Sequence, residues 1–137
     1  MGTKFFEQNL LQLNEEINSI KKVKNYWLKK KKELIYFSKR TTSEKKIILI
    51  RKIGIQLIIS ELPIELYFLK QSKIKIPGAI CSFGSAADKT FPMIYNGSKI
   101  YLIIIKELTK YNFFFNYFAF YKDLMLKLKL KKNIIEL

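Results

Sequence analysis

Residues 54–108 constrain this chain more than any other stretch, because short apolar runs alternate there with segments of helical spacing. Ile55, Leu57, Ile58 and Ile59 form a β-branched run of the kind buried inside a parallel sheet. A helix-capable segment with apolar Ile64, Leu66, Phe68, Leu69 and Ile74 follows, completing the strand and helix of one crossover unit. Pro77 opens a second short run over 78–81, which ends in the small, flexible loop Ser82, Phe83, Gly84, Ser85, Ala86, Ala87, Asp88. After Pro92, Asn96 or Ser98 is a capping candidate just before the apolar run 100–105, and the pattern predicts a helix there. Strand, helix, strand, loop, helix is an α/β order.

Two short motifs sit inside that order. Ile74-Lys75-Ile76-Pro77 closes the first helix at a fixed spacing from Ser60, and Ile94, Asn96 and Ile100 mark the turn before the second. In order and spacing they resemble the C-terminal half of the small ribosomal subunit protein two family, whose helix ends in leucine-glycine-isoleucine-proline and whose turn reads isoleucine-proline-glycine-asparagine. The chain departs from that pattern where Ser60 replaces an acid, where 83–87 lacks most of the loop's carboxylates, and where Asn96-Gly97-Ser98 lacks an aspartate pair. The resemblance implies a partial Rossmann-like parallel sheet in a divergent organellar form. It also implies a structural role at the junction of head and body of the small subunit, bound to ribosomal RNA beside other small-subunit ribosomal proteins. The family's first strands find no counterpart before Ile55, leaving two core strands where a sheet needs several. The expectation is a split protein, its missing N-terminal half supplied by a separate chain or by a neighbouring ribosomal protein.

Upstream, Phe6, Leu10, Leu13, Ile17 and Ile20 step by four and three, and the pattern returns at Trp27 and Leu34. This is a heptad seam, with Lys24 and Lys31 in the intervening positions, and it predicts one long helix packed at its N-terminal end. Thr41 with Glu44 forms a capping box for a second helix through Ile47, Ile48 and Arg51, although the β-branched content also allows a strand. The chain thus divides into 1–53, a basic helical segment; 54–110, the α/β core; and 111–137, an aromatic and lysine-rich extension. Two helices meeting around 38–42 would look like the hairpin that precedes the corresponding strand in the family, an expectation from order alone.

The formal net charge is +15, carried by lysine apart from Arg40 and Arg51. Such an excess calls for a polyanionic partner. Up to Lys52 there are fourteen basic and five acidic side chains, against twelve and six beyond it. The expected RNA contacts are Lys21, Lys22, Lys24, Lys29, Lys30, Lys31, Lys32, Lys39, Arg40, Lys45 and Lys46, joined by Lys127, Lys129 and Lys131 in the tail. In the first group they interleave with Tyr26, Trp27, Tyr36 and Phe37, a pattern suited to phosphate contact with stacking on unpaired bases.

In the tail, Tyr111, Phe113, Phe114, Phe115, Tyr117, Phe118, Phe120 and Tyr121 are broken only by Asn112, Asn116 and Ala119. Packing against a protein partner or the sheet is the reading for these rings. Leu126, Leu128 and Leu130 alternate with Lys127, Lys129 and Lys131, which suits a half-exposed strand. The same aromatic and basic tail is compatible with attachment to a membrane surface, and a non-ribosomal RNA-binding module is a third reading. The apolar runs are far short of the ~20 residues that span a bilayer, so no membrane span is expected.

Catalysis is not expected. Cys81 is the single cysteine and histidine is absent, which removes disulfide, histidine and cysteine-cluster chemistry; no metal and no cofactor is expected. The loop at 82–88 holds one glycine and one carboxylate, Asp88, and no dinucleotide-binding glycine fingerprint. Richness in lysine, isoleucine and asparagine with alanine only at Ala79, Ala86, Ala87 and Ala119 reflects AT-rich codons. With Glu7, Glu15 and Glu16 and no arginine in 1–16, the start does not read as an import signal. The expected location is a mitochondrion, with a plastid as the alternative.

Overall fold

The computed structural model describes residues 4–39, 41–71, 76–85, 87–95, 98–128 and 133–137, with the side chains of Lys39 and Lys89 set aside. The chain is α/β and forms two compact units, Met1–Pro63 and Ile64–Leu137. Each holds its own parallel sheet.

In the first unit, α1 (Leu13–Lys29) is followed by β1 (Ile35–Lys39), α2 (Glu44–Lys52) and β2 (Gln56–Ser60). The β1 and β2 strands pair in parallel, Ile35 opposite Gln56 through Lys39 opposite Ser60, so α2 is the crossover. Ile17 and Ile20 of α1, Tyr36 of β1, Ile50 of α2 and Ile55 form one buried cluster, with Leu13, Leu34, Leu49, Ile53 and Leu57 packed around it. The heptad spacing does place Ile17 and Ile20 inward. Phe6 and Leu10, however, lie in turns before the helix begins.

The second unit runs α3 (Ile64–Lys70), β3 (Ala79–Ser82), α4 (Ala87–Ile94), β4 (Lys99–Ile104), a 3-10 turn at Lys106–Lys110, α5 (Asn112–Lys127) and β5 (Ile134–Glu136). Its sheet has the order β3, β4, β5, all parallel. The central strand is closed in: Ile100, Leu102, Ile103 and Ile104 are all buried. Phe114, Phe118 and Met125 are the buried residues of α5, while Phe68, Phe91 and Tyr95 meet between α3 and α4. The Tyr95 hydroxyl donates to the Glu65 carbonyl at 2.6 Å and so fastens the two helices.

Five expectations change. The run 100–105 is strand β4 and its entry, not a helix; Ser98 does not cap it, but donates its hydroxyl to the Pro77 carbonyl at 3.0 Å. The other capping candidate, Asn96, and Ile74 lie outside the described residues. A run this rich in β-branched residues, buried on both faces, is what a central parallel strand requires. The hairpin of two helices around 38–42 is replaced by a strand, β1, leading to a helix whose cap is Ser43 rather than Thr41: its hydroxyl accepts from the Lys46 amide at 3.4 Å. Because β1 precedes Ile55 and pairs with β2, the count of two core strands fails, and with it the reason for requiring strands from a separate chain. The two strands expected side by side also divide, since β2 pairs with β1 and β3 with β4. Finally, Leu126 and Lys127 belong to α5, so the alternating tail is helical there; Lys129, Leu130 and Lys131 lie outside the described residues. Separately from these, the two units meet after Pro63, whereas the residue pattern divides the chain after 53 and after 110.

Candidate nucleic-acid interface

Helix α1 ends in an unusual way for its residue types. The Lys32 amide donates to the Trp27 carbonyl at 3.0 Å and the Lys31 amide to the Leu28 carbonyl at 2.9 Å, which places Lys31 at the position just past the helix where glycine is preferred. Its φ is 54°, in the left-handed region that a side chain disfavours. The four lysines of 29–32 are all exposed, and Lys29, Lys31 and Lys32 join no ion pair among the described residues. Lys30 lies over the Tyr26 ring, 5.1 Å from its centre. Cations are favoured at a helix C-terminus, so the lysines suit the place even though the backbone of Lys31 does not.

A stripe along α1 leads to this turn. Asn14, Asn18, Lys21, Asn25 and Lys29 follow one another at steps of four and three, and all are exposed. They lie opposite the buried Ile17, Ile20 and Val23. The asparagines add neutral donors and acceptors that suit sugar and phosphate oxygens. Reading charge alone misses them; their spacing was the signal.

The other predicted contacts sort differently. Lys45 is exposed and Lys22 half-buried. Lys24 is half-buried, and its ammonium donates to the Ile53 carbonyl beside Gly54, so it closes α1 onto the end of α2. Lys127 is exposed and pairs with Asp123 one turn back at 2.7 Å. Lys39 is the last residue of β1, its side chain outside the described set, and Arg40, Lys129 and Lys131 lie outside the described residues altogether. Of the aromatics interleaved with the lysines, Tyr36 and Phe37 are core residues, not stacking surfaces.

Lys46 is the clearest correction. Its side chain is wholly buried, with its ammonium 2.7 Å from Glu16 and 3.1 Å from Glu7. Glu16 also accepts from the Phe6 amide at 2.8 Å, and Glu7 from the Ser43 amide at 3.1 Å. Burial works against the Glu7 anion, yet the Ser43 amide and the Lys46 ammonium outweigh it and hold its carboxyl below the usual range. The result is a clasp that fixes the first turns to α1 and α2. A buried ammonium paired in this way is not available to RNA.

The loop after β3 has a different chemistry. Ser82 donates its hydroxyl to both Asp88 oxygens, at 2.9 and 2.7 Å, while the Ser85 amide donates to Asp88 at 3.0 Å and the Gly84 amide to Ser82 at 3.0 Å. Burial pushes the Asp88 carboxyl up, and those bonds pull the other way. This one loop carboxylate is therefore engaged in holding the turn into α4. Among the described residues no three of Cys, Asp and Glu gather as metal ligands, and no helix is long and apolar enough to cross a membrane.

No family model, no curated protein and no solved structure matches this chain.

Proposed function

We propose that this chain is a structural constituent of a mitochondrial small ribosomal subunit, binding ribosomal RNA and neighbouring ribosomal proteins through exposed lysine surfaces and performing no catalysis itself. The observation that carries the reading is the turn at 29–32, four consecutive exposed lysines with Lys31 held in a backbone conformation that glycine would adopt more cheaply. Phosphates are the partner such a turn satisfies, since each contact releases condensed counterions. The asparagine and lysine stripe of α1 extends the same surface.

The ribosomal assignment draws on the resemblance in order and spacing over 54–108; β2, α3 and β3 follow that order, while strand β4 stands where its closing helix is expected. The organellar assignment draws on the AT-rich codon bias, and the choice of a mitochondrion over a plastid on shortened and divergent ribosomal proteins being more usual there. Asp88 buried against Ser82 favours a structural rather than catalytic loop.

The test is sedimentation of a native organelle lysate at moderate and then high salt, following this chain by mass spectrometry beside small-subunit RNA. Comigration that survives high salt is expected. Pelleting with membranes, or release at modest salt, would overturn the assignment.

A further inference from the structure

We propose that the outward face of α5 is a stacking platform for unpaired nucleotides, a second RNA contact of a different kind from the lysine turn. It rests on the RNA-binding reading above. Three rings of this helix stand in solvent: Phe113 is 46% exposed, Phe115 60% and Phe120 65%. The Phe113 ring lies nearly parallel to Tyr117, at 24° and 5.6 Å between centres, so its plane is set before any ligand arrives. Phe113 and Phe120 are seven residues apart on one side of the helix, roughly 10 Å at 1.5 Å per residue, or about three base steps.

Between them stands exposed Asn116, three residues after one ring and four before the other. That polar residue interrupts the continuous apolar seam a partner helix needs, but offers an amide to a base edge. Lys127, seven residues past Phe120, lies on the same side of the helix, Lys110 stands just before its first turn and Lys122 lies on the far side, all three exposed. Glu136 and Asp123 hold two of them in surface pairs, which are weak and exchange readily for a phosphate. Lysine is depleted from protein interface cores, and a second copy would set +15 against +15. Rings with a cationic border fit single-stranded RNA, which offers a flat apolar face and a charged backbone together.

The experiment uses the full chain with two probes, an unstructured oligouridylate and an RNA hairpin of equal phosphate number, at fixed salt. The double variant Phe113→Ala, Phe120→Ala is expected to weaken oligouridylate binding about thirtyfold or more, with hairpin affinity and thermal midpoint unchanged, and Phe120→Tyr is expected to bind as the parent. Equal loss on both probes, or no loss on either, overturns the platform. If Lys29→Ala, Lys31→Ala weakens both probes while the ring variant weakens neither, the platform fails and the lysine surface stands. If the parent binds neither probe, the RNA reading itself fails. Loss, in the ring variant, of a protein partner that survives nuclease treatment in the parent, with RNA binding intact, would overturn the platform and assign the face to protein instead.

Discussion

Lys46 Nζ lies 2.7 Å from Glu16 Oε1, with both side chains closed to solvent. Removing one partner of such a pair leaves the other charge buried and uncompensated, which costs about 3–5 kcal/mol. Lys46→Ala is therefore expected to lower the unfolding free energy by about that amount in denaturant titrations. The neighbouring exposed Lys45→Ala should change it by no more than about 0.5 kcal/mol. Equal effects at the two positions would contradict the buried clasp.

Glu7 makes the clasp sensitive to acid. Its carboxyl titrates below the ordinary glutamate value of 4.5 in the folded chain, so the stability it contributes is fully present above that value. It is lost as pH falls from there through the lower folded value. The expected result for Glu7→Gln is a lower thermal midpoint at neutral pH and a shallower decline in acid, the two curves converging at the acid end. Asp88 acts in the opposite direction: burial raises its carboxyl above 3.8, so its contribution weakens as pH rises from that value. In Asp88→Asn that countervailing slope should disappear.

The turn after α1 should separate stability from binding. Lys31 has φ 54°, and glycine there relieves a penalty of about 1 kcal/mol. Lys31→Gly is expected to raise stability while reducing the slope of log affinity against log salt by about 0.7 to 0.9. A variant that gains neither, or that binds RNA with an unchanged salt slope, would remove the functional reason for the strained turn.

Gly84 has φ 103°, and a β-carbon built there would sit 2.5 Å from the Tyr121 ring. The adjacent Tyr117 hydroxyl donates to the Gly84 carbonyl at 2.7 Å, so the loop has little room to shift. Gly84→Ala should cost about 2 kcal/mol or more in stability. Thermal unfolding near the parent midpoint would show that α5 gives way more easily than its packing suggests.

Much of the fold was legible in residue pattern. The β-branched run at β2, the short apolar run at β3 and the helix between them follow from apolar spacing alone, as does the inward face of α1 at Ile17 and Ile20. The strand β4 was hidden by the capping residue before it, although Ile100, Ile103 and Ile104 in so short a run favour a central strand. The strand β1 was masked because Trp27 and Leu34 continue the heptad, and no glycine or proline marks the break at Lys31. Period two misled at Leu126 and Lys127 because the spacing of Phe114, Phe118, Tyr121 and Met125, four, three and four, carries helix α5 to Lys127. Charge shows how many lysines a chain has, but not which lie near a carboxylate brought in from elsewhere. Lys46 needed Glu7 and Glu16, both distant in sequence, to become a core residue.

Protein–RNA crosslinking in native small subunits, followed by peptide mapping, tests the central claim most directly. Nucleotide adducts are expected on peptides covering Lys21 and the turn at 29–32, and none on Lys46. Absence of the chain from small-subunit fractions, or adducts that avoid this surface, would contradict it.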